Sequence, residues 1–258
     1  MEGEELLIER KDKIAFLYKN RPEKFNALNI SLLNKINITL RAISKNDKIR
    51  VIILTGIGEK AFAAGADILE FSEFKSKEAM ELSKNGKEKV FDFIEDFSKP
   101  IIAAINGYAL GGGLELALSC DIRIASDNSL MGFPETSLGT IPGYGGTYRL
   151  AEIVGKGIAK EMILTCRKIS AKEALEIGLI SYLTEKNELL DKATQVANQI
   201  IMNSPNAVNS AIKAINYSGG GSKKKCSDIE SEYFSKCFDH PDFKKGVNAF
   251  LNKQKPNY

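Results

Sequence analysis

The chain has 258 residues, of which 43% are hydrophobic and 27% are charged, a composition typical of a globular protein with a sizeable core. Its 36 Lys and Arg residues against 33 Asp and Glu residues give a net charge of +3. This basic excess is too small to indicate nucleic acid, but it suits an anionic ligand such as a nucleotide phosphate. The N-terminus is acidic and shows no signal-peptide pattern, and no apolar run approaches the roughly 20 residues that span a bilayer. We therefore expect a cytoplasmic protein without a membrane partner.

The cysteines and the single histidine exclude several kinds of site. Cys120, Cys166, Cys226 and Cys237 lie far apart with no Cys-x-x-Cys pair, which favours reduced thiols over a disulfide scaffold or a zinc site. The chain has one histidine, His240, near the C-terminus. Ser-His-Asp and Cys-His catalysis and metal sites built on several imidazoles are therefore disfavoured. Carboxylates and backbone amides remain as the candidate catalysts, and we expect no metal site.

Strands and helices alternate along the first part of the chain, up to about residue 184. Short runs of apolar and β-branched residues predict buried strands, namely Ile14–Tyr18, Val51–Thr55, Ile101–Ile105 and Asp121–Ala125. Apolar residues at helical spacing predict two helices between them, one carrying Leu33, Ile36, Leu40 and Ile43, and one carrying Val90, Phe91, Ile94 and Phe97 before Pro100. This alternation predicts an α/β architecture.

The remainder of the chain changes character and becomes helical. Ser170–Glu173 reads as a capping box, Gly178 as the end of that short helix, and Leu179–Leu183 as a last strand. From there we predict helices at about 187–203, 206–217, 227–238 and 241–253, separated by Ser204-Pro205 and by the glycine run Ser218–Ser222. Ser227–Glu230 reads as a second capping box, and Lys223–Lys225 as a solvated loop.

Two glutamates stand beside glycine-rich turns. Glu115 closes the run Asn106–Glu115, and Glu135 is followed by the glycine-rich run Gly139–Gly146. Glycine is used where the backbone turns with positive φ or approaches a ligand closely. Two carboxylates presented in this way can act as a general acid and base if their surroundings separate their pKa values. Taken singly, each could also be a surface glutamate in an unrelated turn.

Two segments of small residues could supply an oxyanion hole. Phe62–Asp67 follows the strand Val51–Thr55 and its loop, and Gly111–Gly113 opens an apolar helical stretch. Small residues leave backbone amides uncovered, and the amides at a helix start are unpaired and lie at the positive end of the dipole. One N–H from each segment, converging on one oxygen, would form an oxyanion hole that stabilises negative charge on that oxygen. Close packing of a helix on a strand explains the glycines equally well from spacing alone.

Together, these motifs resemble the crotonase (enoyl-CoA hydratase/isomerase) family. The resemblance extends from Arg21–Leu28 through Lys60–Asp67 and both glutamate segments to the C-terminal helix. It implies an α/β fold with a crotonase-type ββα spiral core, which we place at residues 1–190. It also implies a helical C-terminal oligomerisation segment at 191–258, assembled as a homotrimer or a homohexamer.

The family resemblance also implies roles for individual residues. Glu115 and Glu135 would be catalytic, and the amides of Ala66 and Gly112 would form the oxyanion hole. Coenzyme A, which is part of the substrate and not a separate cofactor, would contact a further set: Lys24, Phe25, Ala64, Ala66, Asp67, Ile68, Phe250 and Lys253. Phe250 and Lys253 correspond to positions that often contact the coenzyme of a neighbouring subunit.

Members with a glutamate at both catalytic places resemble hydratases, so the resemblance implies reversible syn hydration of short-chain trans-2-enoyl-CoA thioesters. The alternatives are a Δ3,Δ2-enoyl-CoA isomerase that uses Glu135 alone, and an RNA-binding relative. The RNA-binding alternative depends on Lys35, Lys45 and Lys48, which are interleaved with Asn and Asp and not clustered. A non-catalytic scaffold would leave both carboxylates and both glycine turns unexplained.

Three residues depart from the pattern of many hydratases. Phe133 replaces a glutamine before Pro134-Glu135, Tyr148 replaces a glutamine after Gly-Gly-Thr, and Leu69 replaces a lysine that often contacts phosphate. Phe133 would either raise the pKa of Glu135 by desolvation or pack against the acyl group. These departures bear on the acyl-chain preference more than on the reaction.

Overall fold

A computed structural model describes residues 4–218 and 221–258 of the chain. Its strands follow the predicted apolar runs closely and add several short ones. They are β1 (Leu6–Lys11), β2 (Ile14–Lys19), β3 (Val51–Gly56), β4 (Ala61–Ala63), β5 (Ile101–Ile105), β6 (Tyr108–Leu110), β7 (Ile122–Ser126), β8 (Leu130–Gly132), β9 (Lys168–Ser170) and β10 (Tyr182–Thr184). The strands form two sheets, with the larger one in the order β1-β2-β3-β5-β7-β10 and the smaller one in the order β4-β6-β8-β9. All neighbours are parallel except the edge pairs β1–β2 and β8–β9.

Helices connect these strands and fill the C-terminal part of the chain. They are α1 (Ile30–Ser44), α2 (Ser76–Gly86), α3 (Asp92–Glu95), α4 (Gly112–Leu118), α5 (Gly146–Thr165), α6 (Ala171–Glu176), α7 (Leu189–Ile201), α8 (Pro205–Ser218), α9 (Lys223–Asp239) and α10 (Pro241–Leu251). A π-helical turn, Lys87–Phe91, joins α2 to α3. The alternation of parallel strands with helices confirms the α/β prediction.

Local sequence explains the best-predicted helix, α1. The Asn29 side chain accepts a hydrogen bond from the N–H of Leu32 at 2.8 Å, which satisfies one of the unpaired amides at the helix start. Its buried residues recur on one face, namely Leu32, Leu33, Ile36, Leu40 and Ile43. That face belongs to the main hydrophobic core, which lies between the two sheets and the helices that cover them.

The opposite face of the larger sheet is covered by α7. Leu189, Ala193, Val196 and Ala197 of this helix pack in a second core cluster with residues of β3, β5 and β7. The predicted domain boundary at residue 190 therefore falls at the start of a helix that packs on the sheet. The helices beyond it, α8 to α10, contain no buried residue among those described. The division into a core at 1–190 and an oligomerisation segment at 191–258 stays a prediction.

The structure corrects three local predictions. The last strand is Tyr182–Thr184 and not Leu179–Leu183, because the amides of Leu179 and Ile180 bond to the carbonyl of Ala174 at the end of α6. The Ser227–Glu230 capping box is wrong, since α9 begins at Lys223 and is capped by the Ser222 side chain. Lys223–Lys225 is therefore the exposed first turn of α9 and not a loop. Part of the predicted glycine separator lies outside the described residues, at positions 219 and 220.

Other local predictions agree with the structure. The Ser170 side chain caps α6 by accepting a hydrogen bond from the N–H of Glu173, and Gly178 follows that helix with φ +76°. Within residues 4–218 and 221–258, none of the helices combines the length and apolar character needed to cross a bilayer.

Candidate active site

Parallel pairing in the smaller sheet brings the three sequence motifs together. β4 pairs with β6, and β6 pairs with β8, all in parallel. The carboxyl ends of parallel neighbours meet at the same edge of a sheet. Ala64–Ala66 follows β4, Gly111 and α4 follow β6, and Glu135 follows β8. Segments that are far apart in sequence therefore line one cavity.

Glu115 is buried on the first turns of α4, with 1% of its surface exposed. Its Oε1 atom accepts hydrogen bonds from the N–H groups of Tyr144 and Gly146, at 2.7 and 2.8 Å. Burial raises the pKa of the Glu115 carboxyl, while these two N–H groups and the positive charges of Arg149 and Lys87 oppose that rise. One oxygen of Glu115 is thus fixed by the backbone.

Glu135 opens a short 3-10 turn, Glu135–Leu138, directly after Pro134. Burial, together with the negative charge of Glu115, raises the pKa of Glu135 to about 7, against the opposing effect of its own backbone N–H. Its Oε2 atom is buried and has no hydrogen-bond partner among the described residues. Two carboxylates in one cavity with different surroundings form the arrangement that separates an acid from a base.

Gly111 makes room for the Glu135 carboxyl. A Cβ atom at this position would lie 2.5 Å from Glu135 Oε1. Gly111 also has φ +50° and ψ −127°, a backbone conformation that residues with a side chain rarely adopt. Gly111, the first residue of the Gly111–Gly113 run, therefore allows both the tight turn and the close approach of the Glu135 carboxyl.

The amides of Ala66 and Gly112 lie near each other at the same edge of the sheet. A Cβ atom built on Gly112 would stand 3.4 Å from the nitrogen of Ala66. Across residues 4–218 and 221–258, neither amide donates to a protein acceptor. The neighbouring amide of Asp67 is used instead in a bridge to Leu28. The two free N–H groups have the placement and availability that an oxyanion hole requires.

The cavity that these groups line has a volume of about 490 Å³, within the range of small-molecule sites. Ala66, Gly112, Glu115 and Glu135 form one part of its wall. The rest is mostly apolar and includes Phe71, Phe74, Leu82, Leu138, Ile141 and Tyr144. α2 and the Tyr144 side chain were not predicted as parts of the site, although the glycine run Gly139–Gly146 marked the loop that contains Tyr144.

The predicted coenzyme contacts fall into two groups. Ala64, Ala66 and Ile68 line the cavity, and Ile68 is half-exposed at its rim. The other predicted contacts do not line this cavity within the chain, and they are Lys24, Phe25, Asp67, Phe250 and Lys253.

The residues of the second group lie in different parts of the structure. Phe25 and Lys24 are exposed beside the cavity segment, and the carbonyl of Phe25 accepts from the N–H of Ala64 at 3.0 Å. The Asp67 carboxylate pairs with Arg21 Nη2 at 2.8 Å, so it braces the Arg21–Leu28 segment against the Ala66 segment. Phe250 and Lys253 are exposed at the end of α10.

The three departures occupy distinct surroundings. Phe133 is fully buried in the main core, where its ring and the Glu115 side chain both lie against Gly146. The two effects predicted for Phe133 stay predictions. Leu69 is 77% exposed. Tyr148 is half-exposed, and its hydroxyl lies 3.3 Å from Asp92 Oδ1.

The three lysines of the RNA-binding alternative and the single histidine lie outside the cavity and make local contacts. The Nζ of Lys35 pairs with Glu5 Oε2 at 3.0 Å, and Lys45 and Lys48 lie at and beyond the end of α1, so the three do not form one basic face. The N–H of Asp242 donates to His240 Nδ1 at 3.3 Å at the start of α10. The single histidine is thus a helix cap outside the cavity.

Comparison with known proteins agrees with this architecture. The chain matches the Enoyl-CoA hydratase/isomerase family over residues 9–258. It is 44% identical to the short-chain-enoyl-CoA hydratase of Clostridium acetobutylicum, over 99% of this chain and 97% of the relative. It is 41% identical to the crotonyl-CoA hydratase of Syntrophomonas wolfei, over 100% and 99%. The crystal structure of an enoyl-CoA hydratase from Bacillus anthracis superposes with a TM-score of 0.94 at 36% identity, covering 99% of both chains. The chain therefore belongs to the enoyl-CoA hydratase/isomerase family.

Proposed function

We propose that the chain is a hydro-lyase that catalyses the reversible syn hydration of short-chain trans-2-enoyl-CoA thioesters, with crotonyl-CoA as the representative substrate. The observation that carries the proposal is the convergence of Glu115, Glu135 and the free amides of Ala66 and Gly112 on one cavity. The names of the two relatives reported above support the same reaction and the short chain length.

The thioester carbonyl oxygen would accept hydrogen bonds from the N–H groups of Ala66 and Gly112. Gly112 is the first residue of α4, so its amide also lies at the positive end of that helix. Addition of water to the β carbon places negative charge on the carbonyl oxygen as the enolate forms. Removing one such hydrogen-bond donor from an oxyanion hole typically costs roughly 3–4 kcal/mol in the transition state.

Glu115 would act as the base. Its Oε1 is occupied by two backbone N–H groups, so Oε2 is the oxygen that can hold the water and take its proton. The water oxygen then forms its bond to the β carbon, and the double-bond electrons move onto the thioester as the enolate. The two N–H donors stabilise the ionised carboxylate against the cost of its burial.

Glu135 would act as the acid. With its pKa raised to about 7, it can hold a proton at neutral pH and deliver it to the α carbon as the enolate collapses. Both glutamates line the same cavity, which suits addition of the hydroxyl group and the proton to one face. After release of the 3-hydroxyacyl-CoA, proton exchange with water returns the pair to its starting state. The reverse sequence gives dehydration.

Hydration is favoured over isomerisation because Glu115 also lines the cavity. A Δ3,Δ2-isomerase needs one group that moves a proton between two carbons, a role that Glu135 alone could fill. A second carboxylate with one oxygen free to hold water would have no part in that reaction.

The test is loss of the conjugated enoyl-thioester absorbance with purified protein and crotonyl-CoA. Fast loss that disappears in Glu115→Gln and in Glu135→Gln supports the proposal. Loss of 3-enoyl-CoA in the Glu115→Gln variant at the wild-type rate, with no hydration by the wild type, would assign the isomerase reaction instead.

The remaining coenzyme contacts, the assembly and the compartment are part of the same proposal. We propose that Lys24 and Phe25 lie along the coenzyme, that Phe250 and Lys253 reach it from a neighbouring subunit, and that no separate cofactor is used. Large exposed apolar side chains on α8 to α10 support a homotrimer or homohexamer, and they are Ile215, Phe234, Phe238, Phe250 and Leu251. The four free thiols suit the cytoplasm, and the crotonyl-CoA reaction suits butyrate-type metabolism. Light scattering after size-exclusion chromatography would measure the assembly.

A further inference from the structure

The carboxyl of Glu135 is placed mainly by the backbone of its own turn. It receives its own backbone N–H, and its Oε2 is buried without a hydrogen-bond partner in the part of the chain that the structure describes. Its Oε1 lies in the space that Gly111 leaves open by having no side chain. The position of this carboxyl therefore depends on where the turn Glu135–Leu138 is held.

Thr136 ties this turn to the end of α5. Its Oγ1 donates to the carbonyl of Ile163 at 2.8 Å and lies 2.9 Å from Cys166 Sγ. A hydroxyl has one hydrogen, and this one goes to Ile163, so the Cys166 thiol is the donor to Thr136. The result is a chain of two hydrogen bonds, from the thiol through the hydroxyl to the helix carbonyl.

Other hydrogen bonds of the turn are internal. Ser137 donates through both its N–H and its Oγ to the carbonyl of Pro134, at 3.0 and 2.7 Å. The N–H of Thr140 donates to the carbonyl of Glu135 at 3.1 Å. These bonds shape the turn, whereas the side chain of Thr136 fixes it against a second element.

The backbone at Cys166 is unusual for a residue with a side chain. Its φ is +55°, in the left-handed region where helices commonly end on glycine. Cys166 instead ends α5 with a side chain, and the thiol of that side chain contacts Thr136. Strained backbone of this kind clusters beside functional sites, and here the strained residue contacts the neighbour of the acid.

The same helix holds the base at its other end. The N–H of Gly146, the first residue of α5, donates to Glu115 Oε1 at 2.8 Å. If it were straight, a helix of 20 residues would separate its two ends by about 30 Å. However, α5 bends at Gly155, where φ is +79° and ψ is 155°, a combination nearly restricted to glycine. The bend lets α5 support both the acid and the base of one cavity.

We propose that Thr136 is a positioning residue for the hydration reaction, because its tie to α5 fixes the turn that carries Glu135. The inference rests on the hydration proposed above and adds a residue that does not line the cavity. Thr136 acts through Glu135 and does not touch the reacting atoms. Without its hydroxyl, the turn separates from α5 and the Glu135 carboxyl moves toward solvent, where it loses its proton at lower pH.

The experiment measures kcat and KM for crotonyl-CoA hydration from about pH 5 to about pH 9. Thr136→Val keeps the shape of the side chain and removes the hydroxyl. Its kcat should fall by about tenfold to a hundredfold, the scale of a small misplacement of a catalytic group, with KM within about twofold of wild type. The pH above which its kcat falls should lie below the wild-type value. Thr136→Ser keeps the hydroxyl and should restore both quantities.

Thr165→Val is the matched control. Thr165 lies at the same end of α5, and its Oγ1 donates to the carbonyl of Glu161 at 2.7 Å. The variant therefore loses an equivalent hydrogen bond that lies within the helix, and it should keep the wild-type kcat and pH profile. Cys166→Ala is a second test, since it removes the thiol and leaves the bond from Thr136 to α5 in place. Its kcat should fall by about twofold to fivefold, the size expected for one weak hydrogen bond.

Circular dichroism and urea unfolding establish that each variant is folded. Folded Thr136→Val with the wild-type kcat and pH profile would overturn the inference. An equal loss in Thr165→Val, or no recovery in Thr136→Ser, would do the same. If Thr136→Val does not fold, Cys166→Ala decides, and a wild-type kcat in that variant overturns the inference. In each of these cases the wild type still hydrates crotonyl-CoA and the hydratase proposal stands, whereas a wild type without hydration would overturn both.

Discussion

Replacing Glu115 separates its catalytic role from its structural role, because two different substitutions affect them differently. In Glu115→Gln, the side-chain carbonyl oxygen can still accept the N–H groups of Tyr144 and Gly146, but the group can no longer take a proton from water. General base catalysis contributes about 10²–10⁴-fold to rate. We expect kcat for crotonyl-CoA hydration to fall by about that factor, with KM little changed.

The effect on stability follows from the same two hydrogen bonds. Glu115→Ala leaves two buried N–H groups without an acceptor, and each such group costs about 1–3 kcal/mol. The free energy of unfolding should therefore fall by about 2–6 kcal/mol in the Ala variant. Glu115→Gln loses neither bond and removes a carboxyl whose pKa is raised by burial, so its stability should stay within about 1 kcal/mol of wild type.

Both variants are measured by the absorbance assay and by urea unfolding followed by circular dichroism in one buffer. Glu176→Gln, at the exposed end of α6, is the matched control and should change neither quantity. Retention of more than about a tenth of wild-type kcat in Glu115→Gln would refute the role as base. An Ala variant as stable as the Gln variant would refute the account of the two backbone donors.

Three further predictions concern the surroundings of the site. Because Glu135 has its pKa raised to about 7 and must be protonated for hydration, kcat/KM should fall as pH rises above about 7, and a rate unchanged to pH 9 would contradict this assignment. Gly111→Ala should lower kcat by at least tenfold while the protein stays folded by circular dichroism, since its Cβ would displace the Glu135 carboxyl. Wild-type activity in that variant would show that the carboxyl can move without cost. Lys19 is fully buried with its Nζ 3.0 Å from the carbonyl of Thr55 and 3.4 Å from the Phe62 ring centroid, and burial lowers its pKa well below the usual value. Lys19 therefore takes up a proton when the chain unfolds, and this uptake becomes less favourable as pH rises. The free energy of unfolding should accordingly increase with pH up to about 10. Lys19→Met should remove that rise and add about 1–4 kcal/mol to the free energy of unfolding at pH 7, and destabilisation measured by urea at pH 7 would show a charged, stabilising ammonium.

Much of the larger sheet could be predicted from the sequence because its strands are continuous apolar runs. Ile101–Ile105 matches its prediction, and Val51–Gly56 differs from it by one residue. Strands buried on both faces carry this signal in their own residues. The error at Leu179–Leu183 arose because a buried loop is as apolar as a strand, and only the bonds back to Ala174 distinguish the two.

The second wrong prediction shows how local signals compete. Ser222 and Ser227 both precede residues suited to a helix start, and Ser227 also has a glutamate three residues later. The chain uses Ser222, whose side chain accepts from the N–H of Lys225. Both serines are suitable caps from the local sequence, and the structure uses Ser222 at the start of a helix that contacts α8 and α10.

The parts of the candidate site that could be predicted from the sequence are those that lie beside glycine-rich turns. The turns at Gly111 and around Gly139–Gly146 drew attention to Glu115 and Glu135. A backbone that turns with positive φ or approaches another group closely requires glycine, and glycine can be read from the sequence. Tyr144 and Leu82 left no such mark. Tyr144 is placed by tertiary neighbours, namely the ring of Phe91 and the backbone of Gly86, which local periodicity does not indicate.

The site is asymmetric because its two carboxylates depend on different parts of the backbone. Glu115 receives two N–H groups from the loop that contains Tyr144, whereas the Oε2 atom of Glu135 is buried and has no partner within the described part of the chain. Donated N–H groups stabilise a carboxylate as the anion and burial stabilises it as the neutral acid. Burial raises the pKa of both carboxyls, and Glu115 has the larger number of opposing backbone donors. The single histidine, His240, caps α10, so the proposed mechanism gives both the acid and the base role to glutamates. This difference in backbone donors supports the proposal that Glu115 is the base and Glu135 the acid.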